Sequence, residues 1–143
     1  MKKYEILEHK ADLKIRAYGG NKEELFQNSL FGMVESMRAG IKKPEESAKR
    51  EIKIKSSDLP CLLVDFLSEV LYLSQVNKEI YHEAKFKKFI EPLTGPGQAE
   101  LQAELIGKKV TTFGQEIKAV TYHNLDIHQE ENGNWQATVL FDI

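Results

Sequence analysis

The end of the chain has the clearest alternation of apolar and polar side chains. In residues 135–143 every second position is apolar, namely Trp135, Ala137, Val139, Phe141 and Ile143. A period of two is that of a β-strand with one buried face, so we predict a final strand whose apolar face lies in the core. Asp142 alternates with these residues and is expected to point away from the core, one residue from Ile143.

The first third of the chain predicts two strands followed by a helix. Residues 3–8 and 13–18 alternate as strands do, and a helix is predicted over residues 22–38. Asn21 is typical of helix N-caps, and Glu24 completes a variant of the capping box. The apolar positions of this helix recur at helical spacing and are Leu25, Phe26, Leu30, Met33, Val34 and Met37.

The middle of the chain predicts a charged loop, a strand and a longer helix. The loop covers residues 42–49 and the strand residues 51–55. Asp58 is a suitable cap for a helix over residues 59–75. Its apolar face is broad, so we expect this helix to be the more deeply packed of the two.

The second half of the chain predicts a run of strands. These are expected over residues 79–89, 98–106 and 116–128, with a turn at 92–97 and a loop over 107–114. Asn132-Gly133 is the strongest short hairpin signal in the chain. The hairpin would fold the final strand back antiparallel on residues 118–128.

This order of elements is typical of an α+β protein. We predict a single domain over residues 1–143, with two helices packed on one face of a mostly antiparallel or mixed β-sheet. A chain of 143 residues is long enough to bury a core. Its 41% hydrophobic and 29% charged residues are those of an ordinary soluble globular protein.

Composition excludes several classes of partner and site. A formal net charge of -2 gives no general attraction to nucleic acid or to an anionic membrane. No apolar run approaches the roughly 20 residues of a membrane span. The single cysteine, Cys61, allows neither an intrachain disulfide nor a thiolate metal cluster. We therefore expect a cytoplasmic protein.

The chain lacks the motifs of common nucleophilic, nucleotide-binding and zinc sites. Cys61 falls in the first turn of the second predicted helix, and we interpret it as covered rather than catalytic. Asp65 and Glu69 share a helix face, where two solvated acids are favoured over a metal site. No histidine has a partner identifiable from spacing, and His123 is interpreted as a hydrogen-bonded structural residue.

Acidic residues near the two ends of the chain are candidate ligands for a cation. Asp12, Asp142 and a main-chain or terminal oxygen of Ile143, with His9 as a further candidate, make a mainly oxygen set. Such a set suits calcium, magnesium or manganese rather than zinc. The alternative is that lysine or arginine neutralises the carboxylates.

Lys118 lies on the strand predicted to pair with the last one. It would form a cross-strand ion pair with a carboxylate, or it would present a cation to the phosphate or carboxylate of a partner. The spacing favours neither interpretation.

Four segments taken together resemble the archease family. They are residues 4–12 (YEILEHKAD), 62–73 (LLVDFLSEVLYL), 117–123 (IKAVTYH) and 141–143 (FDI), in the order expected for that family. The resemblance spans the whole chain. Two positions depart from the family pattern, because Lys10 replaces the usual threonine and Lys108 the usual glutamate. Neither change removes a motif residue, but both alter local charge, which bears on metal affinity and on contacts with a partner.

The resemblance implies a specific function. Archeases are non-enzymatic accessory proteins of the GTP-dependent RNA ligase that joins tRNA exon halves, and they promote its guanylylation and multiple turnover. By resemblance, Asp12, Asp142 and Ile143 would bind a divalent cation, most readily Ca²⁺. Lys118 matches the family's required lysine and would contact the ligase or help to deliver metal. No catalytic residue and no direct nucleic-acid site are expected in this chain.

Two other functions are compatible with the same residues. A metal-dependent phosphoester hydrolase would use the carboxylates with His9 or His123, although no general base is identifiable. A general chaperone-like binding module would leave Asp12 and Asp142 with purely structural roles.

Overall fold

The computed structural model describes residues 2–9, 12–40, 46–91 and 98–143, with only the backbone at residues 8 and 9. The elements are β1 (Tyr4–His9), β2 (Asp12–Gly19), α1 (Lys22–Ser36), β3 (Ala39–Gly40), β4 (Ser47–Ser56), α2 (Leu59–Asn77), β5 (Glu79–Ile90), β6 (Ala99–Lys109), β7 (Thr112–Phe113), β8 (Ala119–Gln129) and β9 (Trp135–Asp142). The predicted α+β class, with two helices and mostly antiparallel strands, is confirmed.

The boundaries differ from the prediction mainly around two loops. Residues 47–49, expected in a loop, begin β4, because they pair with residues 106–108 of β6. The loop expected over 107–114 is shorter, since β6 continues to Lys109 and β7 follows. The predicted turn at 92–97 and residues 42–45 lie outside the described residues.

The strands divide into three sheets rather than one. A four-stranded sheet has the order β1-β2-β9-β8, a three-stranded sheet the order β4-β6-β5, and β3 pairs with β7. Every pairing is antiparallel. The pairing of β2 with β9 joins the first hairpin of the chain to the last.

The helices begin where the sequence places their caps. Asn21 Oδ1 accepts a hydrogen bond from Glu24 N–H at 2.8 Å, and Glu24 Oε1 accepts one from Gly20 N–H at 2.9 Å. Asp58 Oδ1 accepts from Cys61 N–H at 2.8 Å at the start of α2. These bonds satisfy amide groups that have no partner inside a helix.

Both helices pack against both larger sheets. α1 contacts β2 and β5, and α2 contacts β8 as well as β4, β5 and β6. By length and composition alone α2 could cross a membrane. It instead buries the core side chains Leu59, Leu62, Leu63, Val64, Phe66, Leu67, Val70 and Leu71. It is therefore the central helix of the core.

The last strand is buried on both faces over most of its length. Ala137, Val139 and Phe141 lie in the core as predicted, and Leu140 on the other face is buried as well. Ile143, predicted to be in the core, is 38% exposed. The prediction fails there because Ile143 follows the last ladder residue, and the sheet no longer covers it.

β8 is interrupted by a large irregularity. Thr121 pairs with Leu140, but the next pair is Asp126 with Thr138, so four residues of β8 stand opposite one of β9. Asn124 within it has a φ of 54°, a left-handed conformation that asparagine tolerates better than most residues. This bulge leaves Tyr122 and His123 exposed.

Candidate functional site

Asp12 and Asp142 are directly paired across the β2–β9 ladder. Paired residues of antiparallel strands place their side chains on the same face, with Cβ atoms about 5 Å apart. Asp142 is exposed and Asp12 is half-buried. Two carboxylates in this relation repel each other unless a cation or a hydrogen bond compensates them. The structure thus brings together the two acids proposed from the sequence.

The neighbouring positions complete one end of the four-stranded sheet, where β2 begins and β9 ends. This end of the strands is called the edge below. Ala119 pairs with Asp142 on the other side, and Lys118 N–H donates a hydrogen bond to the Asp142 carbonyl oxygen at 2.7 Å. His9 pairs with Asp12 in register, and only its backbone is described. Ile143 follows Asp142 and lines a shallow groove with Ile6 and Leu13. Residues from β1, β2, β8 and β9 therefore meet at this edge.

The donors at this edge fit a hard cation better than a soft one. The Asp12 and Asp142 side-chain donors are carboxylates, and Ile143, with its main-chain oxygen, directly follows Asp142 in sequence. Calcium and magnesium prefer oxygen ligands of this kind. Across the described residues no three His, Cys, Asp or Glu side chains are grouped as a metal site would require. A cation here would depend on two carboxylates, with main-chain oxygen or water supplying its other ligands.

The side chain of Lys118 is exposed and forms no ion pair with any described residue. The interpretation of Lys118 as one half of a cross-strand ion pair is therefore wrong. Its side chain lines a groove of about 410 Å³ between the C-terminal end of α2 and residues 113–118. The amide of Gln75 holds the two sides together by donating to the Ile117 carbonyl oxygen at 2.8 Å. The other interpretation, that Lys118 presents its ammonium group to a partner, stays a prediction.

The histidines do not extend the site. His123 is exposed on the bulge of β8 and its ring forms no hydrogen bond with a described residue, so the interpretation as a bonded structural histidine is wrong. His128, for which no partner was predicted, lies 2.9 Å from Glu130 Oε1 and 2.6 Å from Asp126 Oδ2. These two carboxylates raise the pKa of His128, Glu130 having the larger effect. Asp126 and Glu130 are each two positions from His128, and side chains two apart in an extended chain point to the same side. This spacing is the sequence signal from which the two partners could have been predicted.

The remaining sequence candidates have structural roles. Asp65 accepts hydrogen bonds from Ser56 Oγ at 2.6 Å and from the Tyr122 hydroxyl at 3.1 Å, so it is not merely a solvated acid. Glu69 is half-buried. A hydrogen bond from Ser57 lowers the pKa of the Cys61 thiol, but Asp58 and burial outweigh it and the net shift is upward. A raised pKa is the opposite of what an activated cysteine needs.

Sequence reasoning did not identify the other residues of the groove beside Lys118. Gln75 and Lys78 come from the end of α2, and Phe113 and Gln115 come from β7 and the segment that follows it. None of these residues belongs to a recognisable motif. They come together because the end of α2 packs against residues 113–118.

Comparison with known proteins identifies relatives along the entire chain. Residues 4–143 match the family model described as the Archease protein family (MTH1598/TM1083). Protein archease of Methanosarcina barkeri is 40% identical over 146 residues, which cover 99% of this chain and 97% of that protein. Protein archease of Thermococcus kodakarensis is 31% identical over the full length of both.

Solved structures have the same fold. The solution structure of Methanobacterium thermoautotrophicum protein 1598 matches with a TM-score of 0.76 and 31% identity over all of both chains. A crystal structure from Thermotoga maritima, described as an archease and possible chaperone, matches with a TM-score of 0.65 over 96% of this chain and 94% of that one. At 22% identity that second likeness concerns the fold alone. The family model, which covers the chain from residue 4 to its last residue, shows that this protein belongs to the archease family.

Proposed function

We propose that this protein is a non-enzymatic accessory protein of the GTP-dependent tRNA-splicing RNA ligase, promoting its guanylylation and repeated turnover in the cytoplasm. Membership of the archease family supports the accessory role. The observation that carries the proposal is the cross-strand register of Asp12 and Asp142, which places two carboxylates side by side where β2 begins and β9 ends. Asp12, Asp142 and an oxygen of Ile143 bind a divalent cation at this edge, most readily Ca²⁺.

The chemistry of the edge explains why a cation belongs there. A divalent ion placed between two opposed carboxylates on one sheet face is attracted to both of them. Ca²⁺ accepts irregular sets of six to eight oxygen ligands, whereas Mg²⁺ demands a stricter octahedron. Lys118, fixed to Asp142 through its main chain, keeps its own side chain available to the ligase.

The test measures formation of the covalent ligase–GMP intermediate with the purified cognate ligase. The wild-type protein is expected to raise the rate, and Asp12→Asn and Asp142→Asn to lose most of the increase. Asp126→Asn is the matched control, because Asp126 is an exposed aspartate of the same sheet away from this edge. Calcium binding, measured by calorimetry, should be the same in Asp126→Asn as in the wild type and should be weakened in Asp12→Asn and Asp142→Asn.

The outcomes separate the competing functions. If Asp142→Asn stimulates the ligase as well as the wild type does, the cation site is wrongly assigned. If the wild type has no effect on the ligase, the accessory role itself is wrong. Turnover of phosphoesters by the protein alone with Mg²⁺ or Mn²⁺ would identify the hydrolase instead. Loss of function strictly in proportion to loss of folded protein would indicate a general chaperone-like module.

A further inference from the structure

Three of the largest exposed apolar side chains in the described part of the chain lie on two neighbouring elements. Tyr72 and Val76 of α2 are 57% and 61% exposed, and Tyr122 of β8 is 56% exposed. Clustered apolar surface of this kind marks interaction sites more often than single exposed residues do. These three residues, with Lys78 and Lys118, are called the α2–β8 face below.

Helical geometry and one hydrogen bond place the three apolar residues on the same side of the molecule, along α2. Asp65, Tyr72 and Val76 are separated by seven and four positions, so they lie along one stripe of α2. The Tyr122 hydroxyl donates to Asp65 Oδ1 at 3.1 Å, which places β8 beside that stripe. The stripe leads to the C-terminal end of α2 and the groove that contains Lys118.

The groove adds positive charge next to the apolar surface. Lys78 and Lys118 both line it, and neither side chain forms an ion pair with a described residue. Its apolar wall includes Phe113 and Ile117, and Glu116 is its one acidic lining residue. A ligand for this surface therefore combines an apolar side chain with a carboxylate.

We infer that the α2–β8 face is the docking surface for an apolar, acidic segment of the partner protein. The inference rests on the proposed function, which makes that partner the RNA ligase. A small anion would use the two lysines but not Tyr72, Val76 and Tyr122. A second copy bound symmetrically through the same face would bring Lys78 and Lys118 of both copies into one interface, and this concentration of positive charge is unfavourable.

The position of this face relates it to the anionic edge of the sheet. Lys118 lines the groove, and its main-chain N–H is bonded to the Asp142 carbonyl oxygen. A segment docked on the α2–β8 face therefore lies next to the Asp12–Asp142 pair without occupying it. Docking and cation binding are consequently separable by mutation.

The experiment measures binding of the full-length protein to the purified cognate ligase by biolayer interferometry. Val76→Asp and Lys78→Glu are each expected to weaken the Kd about tenfold or more, as changes at central interface residues do. Ile90→Asp and Lys85→Glu are matched controls, because both residues are exposed on β5 in the other sheet. The controls should stay within about twofold of the wild type, the range of near-neutral contacts. Calcium binding by Val76→Asp should be unchanged, which also shows that the variant is folded.

Four results would overturn the inference. If the wild type activates the ligase and both α2 variants bind it normally, the docking surface is elsewhere while the proposed function stands. If the controls weaken binding as much as the α2 variants, the effect is not specific to this face. If the protein is a dimer in sedimentation and Val76→Asp makes it monomeric, the occupant is a second copy. A wild type that neither binds nor activates the ligase contradicts the proposed function, and the inference with it.

Discussion

Glu79 shows how a single acidic residue is kept charged inside this protein. It is 1% exposed, yet it accepts two hydrogen bonds from Arg50 at 2.9 and 3.0 Å and one from the Tyr81 hydroxyl at 2.6 Å. The hydrogen bonds from Arg50 are the main reason that the pKa of Glu79 lies below its ordinary value. Burial acts in the opposite direction and is outweighed. The carboxylate links β4 to the start of β5.

We predict that Glu79→Gln destabilises the protein by about 2 kcal/mol at pH 7, because it leaves the donors of Arg50 and Tyr81 poorly matched. A carboxylate whose pKa is lowered on folding contributes stability above its unfolded pKa and loses it on acidification. The difference between wild type and variant should therefore shrink as the pH falls below the ordinary value of 4.5. Urea unfolding at pH 7 and at pH 3.5 measures both effects.

Glu51→Gln is the control for this prediction. Glu51 pairs with Lys87 at 2.7 Å, but both side chains are more than half exposed. Exposed pairs contribute little to stability, so this variant should unfold within about 0.5 kcal/mol of the wild type at both pH values. If Glu51→Gln and Glu79→Gln lower the free energy of unfolding equally, the burial of Glu79 does not explain its contribution to stability.

At the scale of elements, Gly107 is a position of β6 at which a side chain would collide with the backbone of β5. It pairs with Tyr81, next to the register shift between Tyr81 and Glu83. A Cβ at this position would lie 1.7 Å from the Ile80 carbonyl oxygen. The atom it would meet is backbone and has no flexible side chain to move aside. Any side chain at residue 107 must therefore push the two strands apart.

Gly107→Ala is expected to lower the free energy of unfolding by about 3 kcal/mol or more, since it overpacks a central strand pair. Gly20→Ala is the matched control, because the nearest atom to its added Cβ is the flexible Glu24 Oε1 at 3.8 Å. Thermal unfolding followed by circular dichroism compares the two. A Gly107→Ala protein as stable as Gly20→Ala would show that the strands approach less closely than described.

Features that depend on residues close together in the sequence could be predicted. Features that depend on how two strands pair could not. The caps Asn21 and Asp58 depend on neighbours in the sequence, as does the hairpin at Asn132-Gly133, where Gly133 has a φ of 90°. The bulge of β8 is invisible in sequence, because it depends on how β8 meets β9.

The same distinction applies to the candidate site. Residue chemistry identifies Asp12 and Asp142 as unusual, but only the register of β2 against β9 makes them neighbours. The exposure of Lys118 to a groove depends on the packing of α2, which no local pattern encodes.

For the whole molecule, a cation at the Asp12–Asp142 edge would link the first hairpin to the last. A ligand that binds only the folded state raises stability with its concentration, by about 2.7 kcal/mol at one hundred times its Kd. We predict that Ca²⁺ raises the Tm of the wild type and leaves that of Asp142→Asn unchanged. Thermal shift in EDTA and in Ca²⁺ tests both statements, and an equal Ca²⁺ response of the two proteins would contradict them.

The pairing of β2 with β9 also bears on when the anionic edge exists. Nearly the whole chain lies between the two paired aspartates, and contacts of such long sequence separation are the slow ones in folding. A one-residue slip of the ladder would send the two carboxylates to opposite faces. The edge is therefore present only once both hairpins have met in the correct register. A protein that recognises it distinguishes mature molecules from nascent or partly folded ones.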